Sequence, residues 1–440
     1  MDYNIFYNVM PDGTIKQVNP FTGTEVWTVP GRGIKPMSNG SDESASPLEK
    51  HSPEDYCSFC PPRILETAPE KSRLIIENGT YRRLDKISPS DYANTRAVLR
   101  RVGNLFEIVS LDYWRKNFGY KISSTNIKWK DDYVKNEIGL QHIIDTISYK
   151  LELQGKTEAE IEKLPSEYFL SAADAFFGGG HELIIADRHY NENAQYDDDL
   201  FSSGDMSLEY HHQYFAFTID AMRDILQNNR YVRYISVFQN WLRAAGASFD
   251  HLHKQLVALD AWGESIDRQI AMIRKDKNVF NSYGPNFAGH HNLIFAENDF
   301  GVAFVGIGHR FPTLEVYSKS INSRPFEHTP EEIRGMSDLV HACHAALGNK
   351  TSCNEEWYYA PIDSIFLMPW HINIKLRINI SAGFEGGTSI FINPIKPEDL
   401  RDRLVPRLYD LRANHRIDHS LRIAEECSVQ PNPLQYYKNF

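Results

Sequence analysis

The spacing of hydrophobic and polar positions predicts two long amphipathic helices. The first covers residues 208–228, where apolar side chains recur at helical spacing at Phe215, Ile219, Met222 and Leu226. The second begins after Thr329, because Thr as N-cap, Pro at the next position and Glu three residues after the cap form a helix-start signal. Its apolar stripe runs to Leu347, and Gly348 is expected to end it.

Shorter apolar runs bounded by turn residues predict strands. They fall at residues 25–29, 181–187, 231–238, 249–258, 364–368, 371–380 and 389–392, with two more around a turn within 291–305. Residues 100–175 carry helical charge patterns, and Lys396-Pro397-Glu398 opens a last helix. Residues 37–55 are rich in Ser, Asp, Glu and Pro and predict an exposed loop. Strands and helices do not alternate strictly, which favours an α+β fold over a doubly wound sheet. No clean internal repeat is visible in the sequence.

Composition fits a folded protein of more than one domain, or one large fold with insertions. The chain has 440 residues, of which 42% are hydrophobic and 24% charged. Its formal net charge is −11, which argues against binding a nucleic-acid backbone. A small nucleotide is still compatible with this charge, because it needs only a local cluster of hydrogen-bond donors.

The five cysteines are an odd and sparse set, which predicts reduced thiols and a cytoplasmic location. The N-terminus shows no basic stretch followed by an apolar run, so no signal peptide is expected. No apolar run approaches 18 residues, so no membrane span is expected either.

The segment from Ser248 to Gln255, SFDHLHKQ, carries the most specific chemistry. On a strand, His251, His253 and Gln255 would project to one side, a polar row that an apolar core would not contain. An isolated pair of histidines is equally compatible with a solvated strand face. The preceding Asn240 and the small-residue turn Gly246–Ser248 favour the functional interpretation, because such a turn brings backbone N–H groups close to a phosphate.

Cys57 and Cys60 form a CxxC pair, which is half of a tetrahedral zinc site. A redox disulfide is the alternative, but no thioredoxin-like βαβ pattern surrounds the pair. We expect His189 and His251 to complete the site, with His181 as a substitute for His189. His211 and His212, on the first long helix, are predicted to lie on the surface.

Two further polar features have both a functional and a structural interpretation. Arg32 and Lys35 lie in a Pro-Gly-rich turn, where they either grip a nucleotide or face solvent. Glu385 lies among glycines between two predicted strands, where a carboxylate either binds sugar hydroxyls or caps a turn.

Taken in order, these motifs resemble the galactose-1-phosphate uridylyltransferase family of the histidine-triad superfamily. The matching blocks are NPFTGTEVWTVPGRGIKP, CSFC, HELIIADRH, VFQN followed by GASFDHLHKQ, and WHINI followed by AGFEGGTSIFINPIKPED. The last block resembles bacterial members that act as phosphorylases or remain unassigned. Five motifs in the same order are far more specific than any one of them.

The resemblance implies two histidine-triad-like α+β halves with antiparallel sheets flanked by helices, and a homodimer. The halves would be residues 1–270, with an insertion around 62–175, and residues 271–440 on the sugar or acceptor side. One structural zinc would be bound by Cys57, Cys60, His189 and His251. His253 would be the nucleophile, and Gln255 would hold phosphoryl oxygens. The nucleotide would contact Arg32, Lys35, Asn240, Gly246 and Ser248, and the sugar would contact Phe384 and Glu385.

The chain departs from the family pattern at a few positions. Leu252 replaces the proline between the two histidines and is expected to face away from the reactive side, and Asp250 replaces the preceding proline. Residues 370–375 contain one histidine, His371, where some members bind a second metal. We therefore expect one metal per chain.

Three functions remain open from the sequence. The first is a nucleotidyltransferase that moves a nucleoside monophosphate from a nucleotide sugar to a sugar phosphate through a covalent nucleotidyl-histidine. The second is a phosphorylase of nucleotide sugars or dinucleoside polyphosphates that uses inorganic phosphate. The third is a non-catalytic zinc-containing protein that binds a nucleotide. A metallohydrolase with a zinc-bound HxH pair would need later ligands on other strands, and the mid-chain position of the motif disfavours it.

Overall fold

Residues 5–31, 45–48 and 55–439 are described by the computed structural model. The strands are β1 (Tyr7–Val9), β2 (Ile15–Val18), β3 (Glu25–Thr28), β4 (Glu70–Glu77), β5 (Thr80–Asp85), β6 (Ala97–Gly103), β7 (His181–Ala186), β8 (Tyr234–Trp241), β9 (His253–Leu259), β10 (Ile294–Glu297), β11 (Gly301–Gly306), β12 (Thr313–Ser318), β13 (Cys353–Tyr358), β14 (His371–Leu376), β15 (Ile390–Ile392) and β16 (Arg422–Ile423). The first long predicted helix and the predicted helix after Thr329 are both confirmed, at Leu208–Asn228 and Pro330–Leu347.

The helices lie mostly between strands. They are α1 (Pro89–Asn94), α2 (Leu111–Phe118), α3 (Ser124–Val134), α4 (Glu137–Leu153), α5 (Glu158–Ile161), α6 (Ser166–Ala172), α7 (Asp174–Gly178), α8 (Leu208–Asn228), α9 (Gly263–Lys275), α10 (Val279–Tyr283), α11 (Pro285–His290), α12 (Pro330–Leu347), α13 (Gly383–Thr388) and α14 (Pro397–Ala413).

Twelve strands form one antiparallel sheet, which confirms the α+β expectation. Their order is β16-β10-β11-β12-β14-β13-β8-β9-β7-β6-β4-β5. A second sheet, β1-β2-β3-β15, joins the N-terminal strands to a late segment of the chain through the parallel pair β3 and β15.

Outward from its centre the large sheet has the same chain order of strands on both sides, apart from the outermost strands β5 and β16. At the centre β8 pairs with β13, with Glu355 opposite Gln239. On one side follow β9, β7, β6, β4 and β5, and on the other β14, β12, β11, β10 and β16. A helix precedes each central strand, α8 before β8 and α12 before β13. The structure therefore contains a repeat that the sequence does not show.

The two long helices cover one face of this sheet and contact each other. Local sequence explains their ends: the Thr329 hydroxyl accepts a hydrogen bond from the Glu332 amide at 3.3 Å, and Glu332 accepts one from the Thr329 amide at 2.9 Å. Phe215, Ile219 and Met222 on α8 are fully buried against the sheet. The opposite face of β9 and β8 is more open and carries His253, Gln255 and Asn240.

Helices α2 to α7 form what we call the helical segment (residues 111–178). Its helices α3 to α7 have a hydrophobic cluster of their own, whereas Leu111 and Trp114 of α2 belong to the main core. The cluster is built from residues such as Trp129, Ile143, Phe169 and Phe177. Within the region predicted as an insertion around 62–175, residues 70–103 instead supply β4, β5 and β6 of the large sheet. Among the described residues, no helix combines the length and the hydropathy needed to cross a bilayer.

Several predicted elements differ from the structure. Residues 364–368 were predicted as a strand but form bends, because Ser364 accepts a hydrogen bond from the Phe366 amide and ties the backbone into a local turn. The strand predicted at 231–238 lies at 234–241, since the Asn229 side chain holds Tyr231 in a turn. His211 was predicted at the surface but is fully buried beside the Ser337 hydroxyl, at 2.8 Å.

Candidate functional site

Two cysteines and two histidines meet beside the start of β9. Cys57 Sγ lies 3.9 Å from Cys60 Sγ and 3.6 Å from His251 Nδ1. Cys60 Sγ lies 3.6 Å from His189 Nδ1 and 3.8 Å from His251 Nδ1. All four ligand atoms lie within 4.8 Å of one another. His189, rather than its substitute His181, is the histidine that joins the cysteines.

These distances fit a tetrahedral metal ion. With metal–sulfur bonds of about 2.3 Å and metal–nitrogen bonds of about 2.0 Å, a tetrahedron has sulfur–sulfur edges of about 3.8 Å and sulfur–nitrogen edges of about 3.6 Å. The Tyr56 and Cys57 amides point at Cys60 Sγ, at 3.3 and 3.4 Å, as expected around a thiolate. The contacts of Cys60 with Cys57, His189 and His251 hold the pKa of the Cys60 thiol well below its usual range.

A hydrogen bond fixes the orientation of His251. Its Nε2 lies 2.8 Å from the Ala186 carbonyl oxygen, which can only accept, so Nε2 carries the proton. Nδ1 therefore keeps its lone pair and faces the two sulfur atoms, the arrangement expected of a metal ligand. His251 lies two residues before β9 begins. Its side chain is therefore not on the strand face that holds His253 and Gln255, although the sequence analysis predicted it there.

His253 is held in the opposite tautomer. Its Nδ1 lies 2.8 Å from the His251 carbonyl oxygen, so Nδ1 donates and Nε2 keeps its lone pair. The ring is almost fully buried and packs edge-on against Phe59, with 5.3 Å between ring centres. Burial lowers the pKa of His253 to about 4, so the imidazole is neutral near pH 7.

Gln255 is oriented by His181 on the neighbouring strand β7. The Ile108 amide donates to His181 Nδ1 at 3.1 Å, so the proton of this ring is on Nε2. His181 Nε2 lies 3.1 Å from Gln255 Oε1 and donates to it. With its oxygen engaged in this way, Gln255 is left with its amide NH₂ as a donor, next to His253 on the same strand face.

His253 and Gln255 open into a cavity of about 430 Å³, within the range of small-ligand sites. Its walls combine apolar side chains with a few polar groups: Phe59, Leu105, Phe106, Phe249, Asn104, His181 and Ser248. The rings of Phe59 and Phe249 lie 4.4 Å apart at this wall. Arg100 donates to the Phe59 carbonyl oxygen at 2.7 Å and so fixes the CxxC loop against β6. The metal-type cluster and the cavity share this loop.

The predicted phosphate-binding turn lies at the end of β8. Gly246 adopts φ +86°, a left-handed conformation that favours glycine. Asn354 donates to both Asn240 Oδ1, at 2.7 Å, and the Ala245 carbonyl oxygen, at 2.8 Å, and joins the turn to β13. Asn240 thus keeps its own amide NH₂ as a donor, while Ser248 lines the cavity.

Other predicted site residues are placed differently. Glu385 accepts a hydrogen bond from the Ala382 amide at 2.9 Å and caps α13, and Phe384 is 48% exposed. Among the described residues, neither lines the 430 Å³ cavity. Arg32 and Lys35, predicted as nucleotide contacts, lie outside the described residues.

The sequence analysis missed several residues of the cavity wall. Asn104, Phe249 and His181 line it, and His181 was considered only as a metal ligand. The signal for His181 was its position as the first residue of a strand that pairs with the strand of the two histidines. Asn104 and Leu105 had no such signal, because a loop after a strand has no periodicity that places it.

Comparison with known proteins confirms the predicted resemblance, because the chain is similar to galactose-1-phosphate uridylyltransferase-like proteins. The chain itself belongs to the DUF4921 family, described as a domain of unknown function, whose sequence pattern matches residues 10–436.

Two curated relatives support the class. An ADP-glucose phosphorylase from Arabidopsis thaliana is 24% identical over 180 residues, which are 38% of this chain and 50% of that protein. A galactose-1-phosphate uridylyltransferase from Thermotoga maritima is 26% identical over 211 residues, 42% of this chain and 64% of that protein. The matches span about half to two thirds of the relatives' length.

Solved structures support the fold across most of the chain. The crystal structure of an ADP-glucose phosphorylase from Arabidopsis thaliana with bound ADP-glucose has a TM-score of 0.55 and 17% identity, and covers 89% of this chain and 98% of its own. A GALT-like protein from the same plant gives a TM-score of 0.53 at 16% identity, with the same coverage.

Proposed function

We propose that this protein transfers a nucleoside monophosphate from a nucleotide sugar to a sugar phosphate through a covalent intermediate on His253. The observation that carries the proposal is the free Nε2 lone pair of His253, which its Nδ1–H bond to the His251 carbonyl leaves available in the 430 Å³ cavity. A nucleotide-binding module would need neither this tautomer nor the amide of Gln255 beside it.

The reaction divides into two displacements. In the first, the His253 Nε2 lone pair attacks the α-phosphorus, a nitrogen–phosphorus bond forms, and the bond from that phosphorus to the bridging oxygen breaks. Sugar 1-phosphate leaves with the bonding electrons. In the second, a phosphate oxygen of the acceptor attacks the same phosphorus and the nitrogen–phosphorus bond breaks, which restores the neutral histidine.

The walls of the cavity suit the two parts of such a donor. The apolar side with Phe59, Leu105 and Phe249 fits a base and ribose, since aromatic faces stack on bases. The amide NH₂ of Gln255 and the Ser248 hydroxyl fit the phosphoryl oxygens, whereas Gly246 and Asn240 do not line this cavity. Donors placed where charge develops typically contribute about 10²–10³ in rate.

The metal that this site fits best is zinc, bound by Cys57, Cys60, His189 and His251. Two thiolates and two imidazoles at tetrahedral spacing are the donor set and geometry that zinc favours. Four protein ligands leave no open position, so the metal would be structural, with one ion per chain. It would fix the loop that places Phe59 beside His253.

A phosphorylase is the second candidate, favoured by the relative that is named an ADP-glucose phosphorylase. In that case inorganic phosphate, rather than a sugar phosphate, would attack the nucleotidyl-histidine. The first displacement is the same for both candidates, so only the acceptor distinguishes them.

We also propose a cytoplasmic homodimer as the working form of the protein. None of the five cysteines forms a disulfide, which is consistent with a reducing compartment. Ile380 is 92% exposed and Phe384 is 48% exposed on the neighbouring α13, an apolar pair that a second copy would cover. Light scattering on purified protein tests the dimer, and a monomeric mass at micromolar concentration would contradict it.

Intact-protein mass spectrometry tests the catalytic proposal. The protein is incubated with a panel of nucleotide sugars, and a mass increase equal to one nucleoside monophosphate is expected, which a His253→Gly variant should lack. Addition of a sugar phosphate should discharge the adduct of a transferase, and phosphate alone should discharge that of a phosphorylase. Wild-type protein that forms no adduct and turns over none of the donors would contradict both.

A further inference from the structure

A second polar cavity lies on the other face of the large sheet, between that sheet and the helical segment. Its volume is about 500 Å³, which is the size of a small-metabolite site. The strand β7 separates it from the cavity of His253, because successive strand residues point to opposite faces. His181 lines the first cavity, whereas the next residue, Glu182, lines the second.

The charged side chains in this cavity form a continuous chain of ion pairs. Lys71 Nζ lies 2.7 Å from Glu182, and Arg101 contacts both Glu182 and Asp224. Arg83 continues from Asp224 toward solvent. Glu182 and Arg101 are almost fully buried, so this chain holds rigid, charged hydrogen-bonding groups against the cavity.

The lining has a surplus of positive charge. Four cationic side chains, Lys71, Arg83, Lys86 and Arg101, stand against three carboxylates, those of Asp85, Glu182 and Asp224. The whole chain carries a formal net charge of −11, so a cavity with a net positive lining is unlike its surroundings. A surplus cation beside paired charges favours a ligand with an anionic group.

The neutral part of the lining is suited to hydroxyl groups. Side-chain amides and hydroxyls cluster at one end, at Ser123, Thr125, Asn126, Gln227, Asn228 and Asn229. An amide can donate to and accept from a sugar hydroxyl. Asn126 and Asn228 already donate to the Phe177 and Asp224 carbonyl oxygens, which leaves their amide oxygens to face a ligand. The wall opposite includes the aromatic side chains of Tyr120, Trp129 and Phe177.

A buried donor next to the cavity supports the same conclusion. Trp114 is fully buried, and its indole N–H has no hydrogen-bond partner in the part of the chain that the structure describes. Its nitrogen lies 3.8 Å from the position that a Cβ on Gly180 would take, and Gly180 lines the cavity. An unpaired buried donor in a native structure calls for an acceptor nearby.

We propose that this cavity is a binding site for a hydroxyl-rich metabolite with one phosphate group, of the sugar phosphate class. The ligand is an effector rather than a reactant, because the sheet separates it from His253. The helical segment thereby forms part of a binding site. Its helix α3 and the glycines at its C-terminal end, Gly178 to Gly180, line the cavity together with the end of α8. This inference goes beyond the proposed transfer reaction and does not depend on it.

Calorimetric titration of the whole protein tests the proposal with three probes: glucose 6-phosphate, glucose and inorganic phosphate. Glucose 6-phosphate should bind at least tenfold more tightly than either of the others. Gln227→Trp, at the exposed mouth on α8, should weaken this binding at least tenfold. Gln141→Trp, an exposed glutamine on α4 that does not line the cavity, is the matched control and should have no effect.

Two further variants keep the test decisive. Lys86→Asn removes the surplus cation, and asparagine tolerates the φ of +54° at this position. This variant should weaken glucose 6-phosphate binding. Lys116→Asn, on α2, is the control and should not weaken it. Ser248→Trp obstructs the catalytic cavity and should leave the probe's affinity unchanged. The proposal is overturned if no probe binds below about 10 mM, if phosphate alone binds as tightly as glucose 6-phosphate, or if Ser248→Trp rather than Gln227→Trp abolishes binding.

Discussion

His251 and His253 are two residues apart and have different chemical environments. The proton of His251 is on Nε2, which leaves Nδ1 for the metal, whereas the proton of His253 is on Nδ1, which leaves Nε2 for the substrate. The carbonyl of His251 itself fixes the tautomer of His253. A change at either histidine should therefore be diagnosed by different measurements.

We predict that His253→Gly abolishes transfer while leaving bound metal unchanged. The rate should fall by at least about 10⁴-fold, because no other group in the cavity offers a nucleophile at that point. Free imidazole should restore part of the activity by occupying the space that the ring leaves. His251→Asn is the comparison, and it should lose metal and stability instead. Normal turnover by His253→Gly, or an adduct mapped to His251 or His189, would show that the roles are assigned wrongly.

The cysteine pair gives the second prediction. Cys57→Ser should lower the zinc content measured by elemental analysis and reduce the free energy of unfolding by about 3 kcal/mol or more, since a structural metal contributes directly to folding. Cys427→Ser, at a half-buried thiol remote from the cluster in sequence, is the control and should keep its zinc. Well-folded wild-type protein that contains no zinc would contradict the assignment of Cys57, Cys60, His189 and His251 as a zinc site.

His181 gives the third prediction, because it acts on the reaction only through Gln255. His181→Leu should free the Gln255 amide to rotate and reduce kcat by about 10-fold to 100-fold with zinc content unchanged. In a Gln255→Ala background the same substitution should have little further effect. If the two losses multiply independently instead, His181 does not work by orienting Gln255.

The cluster of Cys57, Cys60, His189 and His251 forms as the sequence analysis expected, because the CxxC and HxH spacings are themselves a signal. CxxC and HxHxQ each fix a local geometry that survives any context. The walls of the cavity could not be predicted, since Asn104, Leu105 and Phe249 come together only when β6, β7 and β9 pair. Glu385 illustrates the remaining ambiguity: both interpretations of it were stated, and its hydrogen bond to the Ala382 amide is the capping one.

At the scale of single elements, α12 begins with a clear capping box and contains a buried carboxyl group, that of Asp338. Its capping box and terminal glycine allowed the sequence to predict the helix to within a residue. Asp338, on the same helix, could not be predicted as buried, because a carboxylate at that position looks like part of a solvated face. Its side chain is 8% exposed and lies near Asp418, Arg334 and Glu209.

Asp338 leads to a prediction of pH-dependent stability. Burial, followed by the charge of Asp418, raises the pKa of Asp338 to about 7. The folded state thus holds a proton that the unfolded chain releases near pH 4, so the free energy of unfolding should fall as the pH rises from about 4 to 7, by up to about 4 kcal/mol.

Thermal melts of Asp338→Asn at pH 5 and pH 8 check this. The variant should resemble the wild type at pH 5 and exceed its melting temperature at pH 8, because the amide has no proton to lose. Asp112→Asn, an exposed carboxylate on α2, is the control. A variant that is destabilised equally at both pH values would show that Asp338 is not protonated in the folded state.

Strand boundaries were predicted less well than helices, for an identifiable reason. The strand predicted at 364–368 and the early start predicted for β8 both failed where a serine or asparagine side chain bonds the nearby backbone. These side-chain hydrogen bonds to the backbone compete with the hydrogen bonds between strands, and a pattern of hydrophobic residues does not reveal them. The prediction for His211 failed for a different reason, because only the packing of α8 on α12 buries it.

At the scale of the whole molecule, a buried ion pair crosses the centre of the large sheet. Lys254, next to His253 on β9, contacts Glu355 on β13, and neither side chain is exposed to solvent. Glu355 also accepts from His344 at 2.8 Å and from the Trp357 indole at 2.6 Å. The pair thus joins the strand that begins with His253 to β13, the central strand on the other side of the sheet.

We predict that Lys254→Met destabilises the protein by about 3–5 kcal/mol, because Glu355 would remain buried without its cation. The double variant Lys254→Met with Glu355→Leu should recover part of that loss, since both charges are then absent. Chemical denaturation of the wild type, Lys254→Met, Glu355→Leu and the double variant measures the coupling. Equal losses in the single and double variants would mean that the pair contributes nothing beyond packing.

The mirrored strand order has a consequence for the origin of the molecule. His371 opens β14 as His253 opens β9, and its Nδ1 bonds the carbonyl oxygen of Pro369, two residues back, as that of His253 bonds His251. An amide follows two positions later in each strand, Asn373 and Gln255. Such correspondence indicates an ancestor of about half this length that paired with itself edge to edge and carried two equal reactive histidines. Fusion of the two copies would have allowed the two histidines to take on different roles.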